Sequence, residues 1–160
     1  MHKLVRVLRY LKNIEEVLLV IAFVALVGLA FTQVILRNGF ETSIIWADIA
    51  IRILVLWVTM LGAMVATQKK KHIKIDLAEQ FLSPKQYRYV RGFGRFFAAA
   101  MMLIAAYYCL QMTMLEYEFG TIAFANVPTW VCQSILPIGF FSMGIQFATQ
   151  GYMYLRGLLV

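Results

Sequence analysis

Along this chain, long runs without charge alternate with short polar stretches. A helix that crosses a bilayer needs about 20 predominantly apolar residues, and four windows of that kind fall at residues 17–36, 49–67, 96–115 and 127–149. Little chain is left between them. The pattern therefore predicts a single membrane domain over residues 1–160: an all-α membrane protein with four transmembrane helices. Outside the windows the periodicity changes. Leu4, Leu8 and Leu11 share a helical face opposite Lys3, Arg6 and Lys12, which predicts an amphipathic interfacial helix over residues 3–12. Asn13 and Glu16 resemble a capping pair that opens span one. Ile73, Leu77 and Phe81 recur at i, i+4 and i+8 among lysines and acids, predicting a second surface helix over residues 72–82. Ser83-Pro84-Lys85-Gln86 offers an N-cap, a first-turn proline and a closing glutamine. That helix is expected to run through Arg88, Arg91 and Arg95 into span three.

Span two opens amphipathically, with Ile44, Ile45, Asp48, Ile49 and Arg52 at helical spacing. Trp46 suits the headgroup level, where an indole buries its ring and keeps its N–H wet. Trp57 lies deeper and is expected to pack. Residues 116–126 read as a short acidic and aromatic outer loop, and Pro137 should kink span four.

Composition points to lipid. Apolar residues make up 62% of the 160 and charged ones 14%, and a soluble domain this short buries only roughly 70% of its unfolded surface. Its interior could not hold so much apolar side chain. The net charge of +7 would suit nucleic acid, but its distribution suits a membrane instead. Thirteen Lys and Arg precede span one, lie between spans two and three or follow span four. Only Arg37 lies on the other side, with Arg52 set aside as intramembrane. Lysine and arginine favour the cytoplasmic loops, so both termini and residues 68–95 are expected in the cytoplasm, an N-in/C-in topology. Lys3, Arg6, Arg9, Lys69, Lys70 and Lys71 are expected at phospholipid headgroups, with no nucleic-acid partner. The positive N-terminus lacks a small-x-small cleavage site, so the first run reads as an uncleaved span. Cys109 and Cys132 both fall inside spans and read as free thiols.

The polar residues inside the spans are few. Asp48 and Arg52 stand one helical turn apart, as a local i, i+4 ion pair or a contact across a subunit interface. His72 and Asp76 share the same spacing on the expected surface helix, where mutual hydrogen bonding or docking onto a partner outweighs metal binding. Gln33, Gln111 and Gln133 are expected to hydrogen-bond across helices, and Gly28, Gly139 and Gly144 to let helices approach. Neither histidine lies in a span, no carboxylate stands near a span's middle, and no phosphate loop or nucleophile elbow is present. The chain reads as a scaffold, not an enzyme, and needs no cofactor or metal of its own. A membrane anchor of a redox complex and a self-sufficient small carrier are the competing readings.

One stretch is more specific. Leu36-Arg37-Asn38, Trp46-Ala47-Asp48, Arg52, Trp57, Leu61-Gly62-Ala63 and His72-Ile73-Lys74-Ile75-Asp76 occur in that order. This resembles the small integral membrane subunit, the DctQ-type component, of tripartite ATP-independent periplasmic (TRAP) transporters. Two positions depart from that pattern: Asn38 stands where an aromatic is common, and Asp48 is single where paired acids are frequent. The resemblance implies a large membrane subunit that carries the sodium and substrate sites and moves as an elevator. It also implies a periplasmic binding protein that delivers a carboxylate such as a C4-dicarboxylate or sialic acid. Arg37, Trp46, Asp48, Arg52, Trp57, Gly62, His72 and Asp76 would then hold the subunit interface or the fold.

Overall fold

The structure, a computed structural model, describes residues 2–68 and 84–156, with side chains described over 14–68 and 89–156. The chain forms α1 (His2–Gly39), α2 (Ile45–Gln68), α3 (Pro84–Phe119), a hairpin of β1 (Ile122–Phe124) and β2 (Val127–Pro128), the short α4 (Thr129–Gln133) and α5 (Ile135–Leu155). Among the described residues, four stretches are long and apolar enough to cross a membrane: Ile14–Gly39, Ile45–Gln68, Tyr89–Phe119 and Thr129–Leu155. The fourth combines α4 and α5. The all-α, four-span architecture is thus present.

These helices pack pairwise in the order α1–α2–α5–α3. The inner pair is the better covered, with 28% of the α2 window and 33% of the fourth buried, against 6% for α1 and 11% for α3. Chain-adjacent α1 and α2 run antiparallel, and so do α3 and α5. With the end of the row that carries the hairpin labelled outer and the opposite end inner, α2 and α5 run parallel: Trp57, midway along α2, meets Cys132 just before α5, and Thr67 meets Gln150 toward their inner ends. Their junction is the core: Met60, Leu61, Met64, Ile135 and Met143, with Leu56, Trp57 and Phe140 packed against it.

Seven-residue spacing explains why the pairs stay in register. The covered positions of α1 include the series Glu15, Leu19, Ala22, Leu26, Leu29, Gln33 and Leu36, and those of α2 the series Ala47, Ala50, Leu54, Trp57, Leu61, Met64 and Gln68. Alternating steps of three and four keep each stripe facing its partner, as in a left-handed coiled coil. The alanines, and not Ile45 or Ile49, turn inward at the start of α2. In the α3–α5 pair the stripe is made of small residues, with Gly92, Ala99 and Ala106 opposite Gly144 and Gly151, all buried. A Cβ on Gly151 would stand 3.2 Å from the Arg95 Cβ and from the Phe96 ring. Close backbone approach of this kind is what binds helices when lipid is as apolar as leucine.

The structure departs from the sequence reading at several points. Helix α1 is unbroken from His2, so residues 3–12 continue the first span's helix and form no separate surface element. A continuous ladder satisfies the backbone at Asn13 without a cap. Helix α3 runs from Pro84 into span three as expected, but it continues to Phe119. What read as a loop is then a hairpin. Gly120, at φ +62, ends α3, and Ala125 (φ 42) and Asn126 (φ 65) form a two-residue turn with both φ positive. Pro137 acts one turn upstream of itself. It has no N–H for the Gln133 carbonyl, and the helix breaks at Ser134, whose N–H and Oγ–H both bond the Val131 carbonyl (3.3 and 2.7 Å). The expected surface helix over 72–82 and the Ser83 cap lie outside the described residues.

The α3–α5 seam gives a direct test. Gly151→Val should push the two helices apart and cost about 1–3 kcal/mol, the usual scale of overpacking. Gly28→Ala, where a Cβ meets nothing within 4 Å, should leave stability unchanged. Thermal unfolding in detergent micelles distinguishes the two.

Candidate functional site

Polar groups between the helices gather at two levels. At the outer end, Gln33 of α1 is buried and clamps the start of α2. Its amide Nε2 donates to the Ile44 carbonyl (3.3 Å) and to Asp48 Oδ1 (3.2 Å), while its Oε1 accepts from the Ile44 N–H (3.3 Å). The stripe spacing brings Gln33 there, since it is the last polar member of α1's buried face. At the inner end, the Gln68 amide donates to Glu15 Oε2, Ser142 Oγ–H donates to Glu15 Oε1 (3.4 Å), and Gln146 Nε2 donates to Ser142 Oγ (3.2 Å). This chain of contacts ties α1, α2 and α5 together. Beside it, Gln150 donates to the Thr67 carbonyl at 3.0 Å.

Between these levels the Trp57 indole N–H donates to the Cys132 carbonyl at 3.0 Å. That carbonyl belongs to the turn that Pro137 disturbs. Trp57 therefore packs, as expected, and also bonds the weakened turn. Gly62 is half-buried, and a Cβ there would meet Leu19 of α1 at 4.0 Å, an ordinary contact. At the inner end of α3, Arg91 Nη1 donates to the Tyr154 hydroxyl (3.1 Å), and the Arg95 guanidinium stands 5.4 Å from the same ring's centre. Both arginines thus spread over a buried aromatic.

The helix surfaces differ from expectation at several positions. Asp48 and Arg52 make no ion pair; Asp48 accepts from Gln33 and Arg52 stays exposed. The buried amide supplies a donor that holds Asp48, so the local pair is not needed. Arg37 is exposed at the end of α1, and Trp46 is half-exposed and stacks on Phe124 of the hairpin, with ring centres 6.3 Å apart. Gln111 bonds Tyr107 on its own helix (2.9 Å) instead of reaching across, and a Cβ on Gly28 would meet nothing within 4 Å, so no helix closes on it. Cys109 and Cys132 carry free thiols. His72, Asp76, Lys69, Lys70 and Lys71 lie outside the described residues, as do the side chains of Lys3, Arg6 and Arg9. Among the described residues no three His, Cys, Asp or Glu gather as metal ligands.

The inner junction was missed from sequence. Its signal was available in the stripe itself, where the seven-residue repeat begins at Glu15 and the matching stripe of α2 ends at Gln68.

Taken together, these groups bond helix to helix and gather no reactive centre, which describes a multi-pass integral membrane protein whose polar side chains serve its packing. Residues 26–156 match the family model of the DctQ component of tripartite ATP-independent periplasmic transporters. The chain belongs to that family of TRAP small permease subunits, multi-pass proteins of the bacterial inner membrane. It is similar to two putative TRAP transporter small permease proteins of Haemophilus influenzae. One is 26% identical over 78% of this chain and 75% of its own length, the other 27% over 73% and 64%. It also resembles the sialic acid TRAP transporter permease protein SiaT of that organism, at 29% identity over 54% of this chain. The matched part is only 14% of SiaT's length. Membership of this family implies association with a large TRAP membrane subunit.

The outer clamp should be measurable. Gln33→Leu removes the partners of the Ile44 N–H and of Asp48 together and should cost about 1–3 kcal/mol. Asp48→Asn retains an oxygen for Gln33 Nε2 and should cost well under half as much. Unfolding midpoints of the two variants in the same detergent give the comparison.

Proposed function

We propose that this chain is the small membrane subunit of a TRAP transporter that holds the large elevator-type subunit in the bilayer. The large subunit takes up a carboxylate solute driven by sodium, after a periplasmic binding protein has delivered it. The match of residues 26–156 to the DctQ component carries this reading. Support comes from the use of polar groups. Gln33, Glu15, Trp57 and Gln150 are all engaged between the chain's own helices, an arrangement that suits a rigid scaffold. Sodium coordination and any cofactor chemistry fall to the partner. The solute is of the sialic acid or C4-dicarboxylate class, and the name of the SiaT relative favours the former. Of the motif residues, Trp57 and Gly62 serve internal packing, whereas Arg37, Trp46, Asp48 and Arg52 are open to partners. His72 and Asp76 act on the cytoplasmic side.

Both termini and residues 68–95 are cytoplasmic in this reading, with phospholipid headgroups meeting Lys3, Arg6, Arg9, Lys69, Lys70 and Lys71. Thiol-specific labelling from the periplasmic side should reach cysteines placed in the hairpin, such as Asn126→Cys, and should spare Lys70→Cys. Strong outside labelling of Lys70→Cys would overturn the orientation.

Transport provides the functional test. Liposomes containing this chain alone should take up no solute, whereas co-reconstitution with a large subunit and its binding protein should give sodium-dependent uptake. Uptake by the lone chain above that of empty vesicles would show that it is a carrier in its own right.

A further inference from the structure

Arg37 and Arg52 are the arginines of the outer half, and both are exposed. Among the described residues neither guanidinium is hydrogen-bonded or ion-paired. Beside them α1 and α2 enclose an open groove of about 380 Å³, lined by Ala30, Gln33, Val34, Arg37, Asn38 and Ile51. Arg52 follows Ile51, the α2 wall of this groove. Asp48 precedes Arg52 by one turn but makes no ion pair with it, and its Oδ1 accepts from Gln33 Nε2 instead. The Arg52 guanidinium is thus left without a partner group among the described residues.

Depth decides what covers that charge. Helix α2 begins at Ile45, so Arg52 lies roughly 10 Å along the axis from its outer end at 1.5 Å per residue. Arginines at membrane depth are costly against lipid and almost always face protein, a partner charge or water. A lipid phosphate at the surface would suit Arg37 better than Arg52. A carboxylate on a neighbouring helix reaches the deeper position, and the guanidinium fork binds it through two parallel hydrogen bonds.

We propose that the outer α1–α2 groove, flanked by Arg37 and Arg52, is the docking face for the large membrane subunit, and that it receives a transmembrane segment whose carboxylate pairs with Arg52. The proposal rests on the subunit reading above and adds the face and its chemistry. Ala30, Val34 and Ile51 give the segment's apolar side chains a seat, and Arg37 holds its outer end. SiaT supports the choice of partner. The matched part is 14% of that protein, so there the corresponding segment shares one polypeptide with a much larger remainder.

The test uses the full chain co-expressed with its large subunit and measures how much of that subunit stays bound to the tagged chain in detergent. Arg52→Met keeps the apolar stem and removes the charge, while Val34→Trp fills the groove and keeps both charges. Each should reduce the retained large subunit about tenfold or more, the scale for a buried charge pair that loses one partner. Tyr108→Phe, on the exposed face of α3, should leave retention unchanged. A photo-crosslinking residue at Ile51 in the otherwise native chain, which does not depend on either variant folding, should join the large subunit. Wild-type retention in both variants, or crosslinks from Ile51 to lipid alone, would overturn the groove assignment and leave the subunit reading standing. A wild-type chain that retains no large subunit would overturn both.

Discussion

In a bilayer two helices gain little by turning apolar side chains toward each other, because the lipid they leave is equally apolar. What binds them is close approach, and in this protein the closest approach is between α3 and α5. The seam works because Gly144 and Gly151 lie against Ala99, Leu103 and the backbone side of Arg95 with no Cβ between. It fixes α5, and α5 in turn offers its other side, with Ile135, Gly139 and Met143, to α2. Helix α1 is then added through the α1–α2 stripe. The row of four helices follows from which faces are small enough to close.

Polar contacts add direction to this packing. They stand near the ends of the α1–α2 stripe, at Gln33 and at Glu15, and the Trp57 bond to Cys132 lies between them. Membrane helix–helix hydrogen bonds are worth only about 1 kcal/mol each, so they do not supply the bulk of the association. They set register instead, since a slip by one residue would break several of them together. The same bonds dictate what remains open. Asp48 is held by Gln33 and not by Arg52, and the Arg52 guanidinium stays exposed with no partner among the described residues.

Much of this architecture was legible in the chain. The four apolar windows, the start of α3 at Pro84 and the disturbance at Pro137 all depend on local rules of helix length and backbone donors, and all are present. What was not legible depended on choices between partners. Asp48 has a basic residue one turn away and an amide 15 positions back in sequence, and spacing alone favours the former. Residues 3–12 are amphipathic enough for an interfacial helix, yet an unbroken helix satisfies the same backbone groups, and α1 takes that course. The hairpin turn needs positive φ at Ala125, which an alanine does not advertise. Glu15 was overlooked because a carboxylate at the end of a span looks like a surface charge until the seven-residue stripe is followed to its start.

The order of packing also bears on how the chain is built. Helices α1 and α2 are adjacent in sequence and form one antiparallel pair, while α3 and α5 form another. A nascent chain that emerges from its N-terminus can complete the first pair before the second exists. The parallel α2–α5 contact is the one that joins the two pairs, and like the α3–α5 seam it waits for α5. It involves Met60, Met64 and Met143, whose flexible thioethers adapt to an incoming surface. The protein is in this sense two helical pairs joined late along a pliable seam, and the α1–α2 groove is complete before that joining.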